Sequence, residues 1–371
     1  MGFGDLIGPL VSLVRQKLSL TQFEASFIAF AGFIMFGTLS VPTGYFQEKF
    51  GKRVTVITGL CLMLGGLLLP LAGLSSYRLF LAAVLVIGAG ATVLQVAGAP
   101  LLHAHSSPGD FARNLTFAQF IKGIGTLSAP LIPFLAIRYF HNRWEVVFTV
   151  FAAGTFCALL IFLARVRREA PDISAAAKAT FSGSFVLLTD PRVWPMVLAI
   201  FLYVGAEVCM SATLPALMKD KAGNAAGDIG MAGVGLFFLT LMAGRFAGSV
   251  ALRYLSARRF LLITALLSLA GIALLFIARS KLSFVAACLV GLGFANIFPL
   301  VFSLTIESRP ARASELSGLM VTAIAGGALV PPVMGYVSDR AGVAVSLVVP
   351  LCCILYVLYI AVRQLRAGRA V

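Results

Sequence analysis

Charge is scarce in this sequence. Only 12% of its 371 residues are Asp, Glu, Lys or Arg, against roughly 25% in soluble domains, and that scarcity excludes a water-soluble fold. Cysteine offers no framework. The six (Cys61, Cys157, Cys209, Cys288, Cys352, Cys353) all lie inside apolar runs without CxxC spacing, so they read as packing residues and not as disulfides or a metal set. His103 and His105 stand two apart and splay on a helix, which argues against a metal pair; no metal and no cofactor is expected. There is no GxGxxG, Walker loop, HExxH or GxSxG, so the chain is expected not to be an enzyme, whether nucleotide-driven pump or hydrolase. Met1 to Asp5 lacks the basic start of a cleaved signal, and the opening MGFGDL lacks the Ser or Thr of a myristoylation site.

What is present is apolar. Hydrophobic residues make up 60% of the chain, apart from 36 glycines, and the mean hydropathy is +0.99. The apolar runs are about 20 residues long, enough to cross a ~30 Å hydrocarbon core at 1.5 Å per residue. A β-barrel would show ~10-residue alternating segments, and uninterrupted runs such as 80–96 and 260–278 have the wrong period. The sequence therefore predicts a multi-pass helical protein with twelve spans, at about 1–14, 22–46, 53–74, 78–102, 112–137, 144–164, 192–217, 230–252, 259–278, 282–305, 314–337 and 343–362. The first offers only about 21 Å of helix before Arg15, so a longer natural first span is expected.

The 29 Lys and Arg outnumber 14 Asp and Glu, for a net charge of +15. These basic residues collect at span ends without interleaved aromatics, which speaks for membrane topology and against nucleic acid. With both termini cytoplasmic, 17 lie inside and 10 outside, Lys122 and Arg245 being within spans; the positive-inside rule supports this orientation. The longest polar stretch divides the spans six and six. The expected organisation is a six-helix bundle over 1–165, a cytoplasmic linker over 166–190 and a second bundle over 191–371. The halves repeat at an offset near 202, with Gly125, Pro130 and Asp5 matching Gly327, Pro332 and Glu207, while Gly88 and Gly90 fall on Gly291 and Gly293. Such repetition marks a two-fold transporter scaffold with its site at the interface of the repeats.

The loop after the second span reads Gly44-Tyr-Phe-Gln-Glu48-Lys49-Phe-Gly51-Lys52-Arg53. It resembles motif A of the major facilitator superfamily: a glycine, an acid four residues later, a second glycine and a basic pair. Small residues allow close helix approach, and Glu48 with Lys52 and Arg53 would form an ion-pair latch. A weaker copy runs from Gly248 through Arg253 to Arg258 and Arg259. The segments Leu202 to Val208, Ala243 to Gly248, Phe298 to Leu304 and Gly326 to Tyr336 resemble the fucose:proton symporter family, which includes glucose and galactose permeases. Gln95 to Pro100 and Ala118 to Gly125 resemble that family's fourth and fifth spans.

This resemblance implies an all-α membrane protein with the major facilitator fold and two six-helix halves around a central cavity; the shortness of the first run adds the expectation that the first helix is truncated. The resemblance also implies a monomer in the lipid bilayer that moves a hexose or deoxyhexose by alternating access, with protons or sodium as coupling ion. The sequence departs from the family where binding is expected. Gln95 stands where the family has a fourth-span glutamate implicated in proton coupling, Gly8 where it has a first-span aspartate, and Lys122 where it carries an asparagine.

Asp5, Lys122, Glu207 and Arg245 are ionisable residues well inside spans, where an unpaired charge costs on the order of 3 kcal/mol or more. Helical rise places the first three near the midplane, where alternating-access carriers hold their substrates. Asp5 and Glu207 are the proton-coupling candidates, with Lys122 as a partner whose pairing depends on protonation; a permanent Asp5–Lys122 bridge is the structural alternative. Arg245 is expected in a gating pair with Glu307, alongside Gly44, Glu48, Gly51, Lys52 and Arg53. Sugar hydroxyls call for amides and hydroxyls, and the ring face calls for aromatics. Gln95, Gln119, Lys122, Asn296, Tyr203 and Phe298 are the substrate-binding candidates. Other readings are a carrier of an anionic solute such as a sugar acid paired with Lys122, an efflux carrier for hydrophobic compounds, and a non-transporting membrane sensor.

Overall fold

The structure, a computed structural model, describes residues 22–72, 76–139, 146–165, 185–222, 229–278 and 281–367. The first span with Asp5 and most of the expected linker lie outside the described residues. Among the described residues every regular element is helical. Hydrocarbon offers backbone N–H and C=O groups no partners, so an apolar run must satisfy them within itself, as an α-helix does.

The helices are α1 (Gln22–Phe50), α2 (Lys52–Leu68, with a 3-10 turn at Leu69–Ala72), α3 (Tyr77–Ala104), α4 (Phe111–Tyr139) and α5 (Val146–Arg165). After them come α6 (Trp194–Ala222), α7 (Ile229–Ala251), α8 (Ala257–Ile277), α9 (Lys281–Phe294) and α10 (Ile297–Ser308). The last are α11 (Ala313–Thr322), α12 (Gly326–Ala341), α13 (Val343–Ser346) and α14 (Val348–Ala367). Among the described residues, 8 helical stretches are long and apolar enough to cross a membrane. The reversal from α1 to α2 turns on Gly51, whose φ of 87° is strained for any residue with a side chain.

Two spans that the hydropathy pattern draws as continuous are broken. The tenth divides into α9 and α10 at Ala295 and Asn296. Pro299 has no N–H to give the carbonyl four residues back, so the helix restarts at Ile297 with proline in its first turn, where the missing donor is tolerated. The eleventh divides into α11 and α12 through a 3-10 turn at Ala323–Ala325. There α12 begins on Gly326, pressed so closely on the backbone of Phe201 that a Cβ has no room. Hydropathy registers neither break, because both lie within apolar sequence.

The chain forms two compact units. One comprises 1–105, 122–187 and 311–322; the other comprises 106–121, 188–310 and 323–371. Each unit thus takes in a short segment that sequence order would assign to the other half. In the first, Ile28, Met63, Leu67, Phe80, Ile87, Val147 and Phe148 form a buried cluster, with Phe80 and Phe148 edge to face at 6.3 Å. Lipid tails are as apolar as these side chains, so the packing rests on van der Waals fit and on small residues that let backbones approach.

The repeated glycines perform matching tasks in the two units. A Cβ on Gly90 would lie 2.5 Å from the Met63 amide of α2, and one on Gly293 would lie 2.5 Å from the Ser268 amide of α8. Likewise Gly88 faces the Gly32 carbonyl of α1 at 3.0 Å and Gly291 faces the Phe237 carbonyl of α7 at 2.6 Å. The repeat read from the sequence is therefore a repeat of helix contacts: the fourth span on the third and second, and the tenth on the ninth and eighth.

Candidate functional site

The break in the tenth span gathers the polar groups of the second unit. Proline at 299 and the turn at 295–296 leave carbonyls without their usual helical donors, and buried carbonyls require replacements. The Tyr203 hydroxyl donates to the Phe294 carbonyl at 2.9 Å, and Arg245 Nε donates to the Ala295 carbonyl at 3.3 Å. Asn296 donates its side-chain amide to the Gly244 carbonyl at 2.9 Å, while its Oδ1 is buried without a partner. Gly248, one turn along α7, leaves the space that the Asn296 amide fills.

Arg245 is the centre of this arrangement. It is 7% exposed, and a buried guanidinium needs an anion and acceptors for its several donors. Its anion is Glu207, with Nη2 3.7 Å from Oε1; its second carbonyl is that of Gln119 on α4, 3.5 Å from Nη1. Phe120 and Phe246, the next residues along, meet at 5.2 Å. Arg245 therefore pairs with Glu207 and not with Glu307, which stands exposed at the end of α10. Charge alone does not discriminate between two acids when the intervening turn is unseen. The arrangement can hold one negative charge against one positive charge, with carbonyls to steady the cation if the acid is neutralised.

The other residues singled out from the sequence are placed as follows. Gln119 is buried at 7% exposure and Phe298 at 8%, the latter stacked on Phe302 at 5.5 Å. Tyr203 is wholly enclosed, its hydroxyl committed to the helix break. Gln95 on α3 is buried in the first unit, and Lys122 is half-buried on α4. In the motif loop, a Cβ on Gly44 would lie 2.8 Å from the Ser314 carbonyl of α11, so this glycine does permit close helix approach. Among the described residues no ion pair links the half-exposed Glu48 to Lys52 or Arg53; Arg53 instead reaches the Leu163 carbonyl at 3.5 Å. The buried acid at this end is Glu315, paired with Arg312.

Sequence reasoning passed over several residues that hold these helices. Ser317 on α11 donates to the Val96 carbonyl of α3 at 2.7 Å, and Gln47 Nε2 donates to the neighbouring Ala97 carbonyl at 3.3 Å. Pro100 inside α3 was the available signal, since it frees the carbonyl four residues earlier. Outside the membrane-spanning segments, Asp190 accepts from the Arg192 amide at 2.8 Å and from Arg309 at 3.0 Å. Those two partners, the amide first, hold its carboxyl below the ordinary value of 3.8.

The family model of the Major Facilitator Superfamily matches residues 1–331. The chain belongs to the major facilitator superfamily. Among its relatives, a glucose/galactose transporter of Brucella abortus is 27% identical over 372 residues, spanning 94% of this chain and 87% of the relative. The L-fucose-proton symporter of Escherichia coli is 28% identical over 377 residues, spanning 93% of this chain and 85% of the relative. The crystal structure of the E. coli fucose:proton symporter superposes with a TM-score of 0.85 at 22% identity, covering 98% of this chain and 95% of that one. The all-helical major facilitator fold expected from the sequence is thereby established.

Proposed function

We propose that the protein is a secondary active transporter that imports a hexose or deoxyhexose with a proton by alternating access. In this reading it works as a monomer in a bacterial inner membrane, with both termini cytoplasmic and with 1–165 and 191–371 as its moving halves about the 166–190 linker. The Glu207–Arg245 pair at the broken tenth span carries the reading. A carboxylate inside a membrane can take up and release a proton without stranding its partner only if the cation has other acceptors, and Arg245 has the carbonyls of Ala295 and Gln119. The names of the glucose/galactose and L-fucose-proton relatives support the substrate class and the coupling ion.

In this scheme Glu207 takes the coupling role that the non-ionising Gln95 cannot perform, with Asp5 and Lys122 as a second pair. Gln95, Gln119 and Phe298 offer amides and an aromatic face to the sugar. Tyr203 and Asn296 hold the helix break in shape. Gly44, Glu48, Gly51, Lys52 and Arg53 belong to the gate.

The test is proton movement in proteoliposomes on addition of neutral hexoses, deoxyhexoses and sugar acids. A neutral sugar should draw protons inward, and Glu207→Gln should abolish that signal while leaving sugar counterflow measurable. Protons moving only with sugar acids would assign the buried cations to an anionic substrate. Sugar uptake that follows sodium and ignores pH would replace the proton with sodium.

A further inference from the structure

Val96 and Pro100 lie four residues apart inside α3. In an uninterrupted helix the amide of residue 100 would donate to the carbonyl of residue 96, but proline has no N–H and its ring pushes that carbonyl aside. Val96 is fully buried, so water does not reach the released carbonyl, and an unsatisfied carbonyl in such surroundings is costly. Its donor comes from 221 residues away: the Ser317 hydroxyl, itself fully buried, at 2.7 Å. On either side of Ser317, backbone meets backbone. A Cβ on Gly44 would lie 2.8 Å from the Ser314 carbonyl, and one on Gly318 would lie 2.9 Å from the Ser40 carbonyl. The helix bearing Ser317 is bounded by two 3-10 turns, Pro310–Arg312 and Ala323–Ala325, so its ten residues form a short rod with a joint at each end.

The same chemistry recurs in the second unit. Pro299 releases the Ala295 carbonyl, Arg245 takes it, and the same guanidinium holds the Gln119 carbonyl. The two segments fastened in this way, 311–322 and 106–121, are the two that each unit draws from the other half of the sequence.

We propose that Ser317 and Pro100 are positioning residues for transport: a neutral clasp, made on a proline-released carbonyl, that holds α11 on α1 and α3 in one state of the cycle and opens in the other. The clasp carries no charge, so its grip does not follow pH. This separates it from the Arg245 contact, whose anion is titratable. Opening admits water to the Val96 carbonyl, so losing the serine donor removes one net hydrogen bond, about a fivefold shift in the ratio of closed to open. The proposal rests on the alternating-access reading but on neither the sugar nor the coupling ion.

The test uses the full chain in lipid nanodiscs, cysteine-free except for spin labels at the exposed positions Lys49 and Ala311, with the distance distribution read by pulsed electron resonance. Ser317→Ala should raise the separated population about fivefold at every pH. Ser317→Thr, which keeps the hydroxyl donor and adds no thiol, should stay near the parent and guards against a folding defect. Pro100→Ala restores an amide to residue 100, so Val96 is satisfied within its own helix and Ser317→Ala should then have no further effect. Unchanged populations in Ser317→Ala, or shifts that simply multiply in the double variant, would overturn the clasp. A separated population present in the parent but indifferent to all three substitutions would overturn the clasp alone. A single fixed distance in every variant, with and without sugar, would remove the alternating-access reading together with it.

Discussion

One methyl group added at Gly248 should dislodge Asn296 and destabilise the break in the tenth span. A Cβ there would sit 2.6 Å from Asn296 Cγ and 2.7 Å from Nδ2, where unstrained contacts need about 3.5 Å or more. The amide would have to retreat by about 1 Å, and it has nowhere to go: the residue is 2% exposed, its Nδ2 is bonded to the Gly244 carbonyl, and its own carbonyl accepts the Leu300 amide at 3.1 Å as the first bond of α10. Overpacking of this kind costs about 1–3 kcal/mol and the lost hydrogen bond about 1 more, so Gly248→Ala should cost about 2–4 kcal/mol. Trimming the obstacle should relieve it. Asn296→Ala alone loses the bond to Gly244, whereas in the double variant the new methyl occupies space that the amide has left. Thermal unfolding in detergent, followed by size-exclusion recovery, should therefore show the double variant more stable than Gly248→Ala by at least about 1 kcal/mol. A Gly248→Ala protein within about 0.5 kcal/mol of the parent, or strictly additive effects, would refute the reasoning.

Two further outcomes follow from the charged groups. Arg245→Met should cost on the order of 3 kcal/mol by stranding the Glu207 carboxylate, whereas Glu207→Gln, in which Arg245 keeps the carbonyls of Ala295 and Gln119, and the double variant, with no charge left to strand, should melt closer to the parent; all three should fail to couple sugar and proton movement. Asp190 holds Arg309, and its pKa is lower folded than unfolded. Its stabilising contribution is therefore complete above the unfolded value near 3.8 and is lost as pH falls through the depressed folded value, so Asp190→Asn should lower the melting temperature at pH 7, change it least at the acid end, and so flatten the acid limb of a melting-temperature profile.

The helical spans and the two-fold repeat were legible because both are written in local sequence. A run of apolar residues has one way to satisfy its backbone in hydrocarbon, and a repeated glycine such as Gly90 or Gly293 records where another helix must come close. The charged residues were legible as candidates for the same reason, since Glu207 and Arg245 stand out against their apolar surroundings. Their partnership was not, because the sequence assigned Arg245 to Glu307 and gave Asn296 and Tyr203 to the sugar, whereas the structure pairs Arg245 with Glu207 and engages the Tyr203 hydroxyl and the Asn296 Nδ2 at the break around residues 295–296. That break follows from Pro299 and from packing against α6 and α7, and it lies inside a stretch whose hydropathy is uniform.

By itself, then, the sequence determined that this is a multi-pass helical membrane protein, how its repeats are spaced, and which side chains are too costly to bury without purpose. Tertiary structure alone decided which acid meets Arg245, which hydroxyl meets the carbonyl that Pro100 releases, and which segments are lent across the halves. The physical reason is range. Backbone satisfaction and hydropathy are settled within a few residues along the chain, while a carbonyl freed by proline or a buried guanidinium takes its partner from whichever helix packs beside it, 126 or 221 residues away.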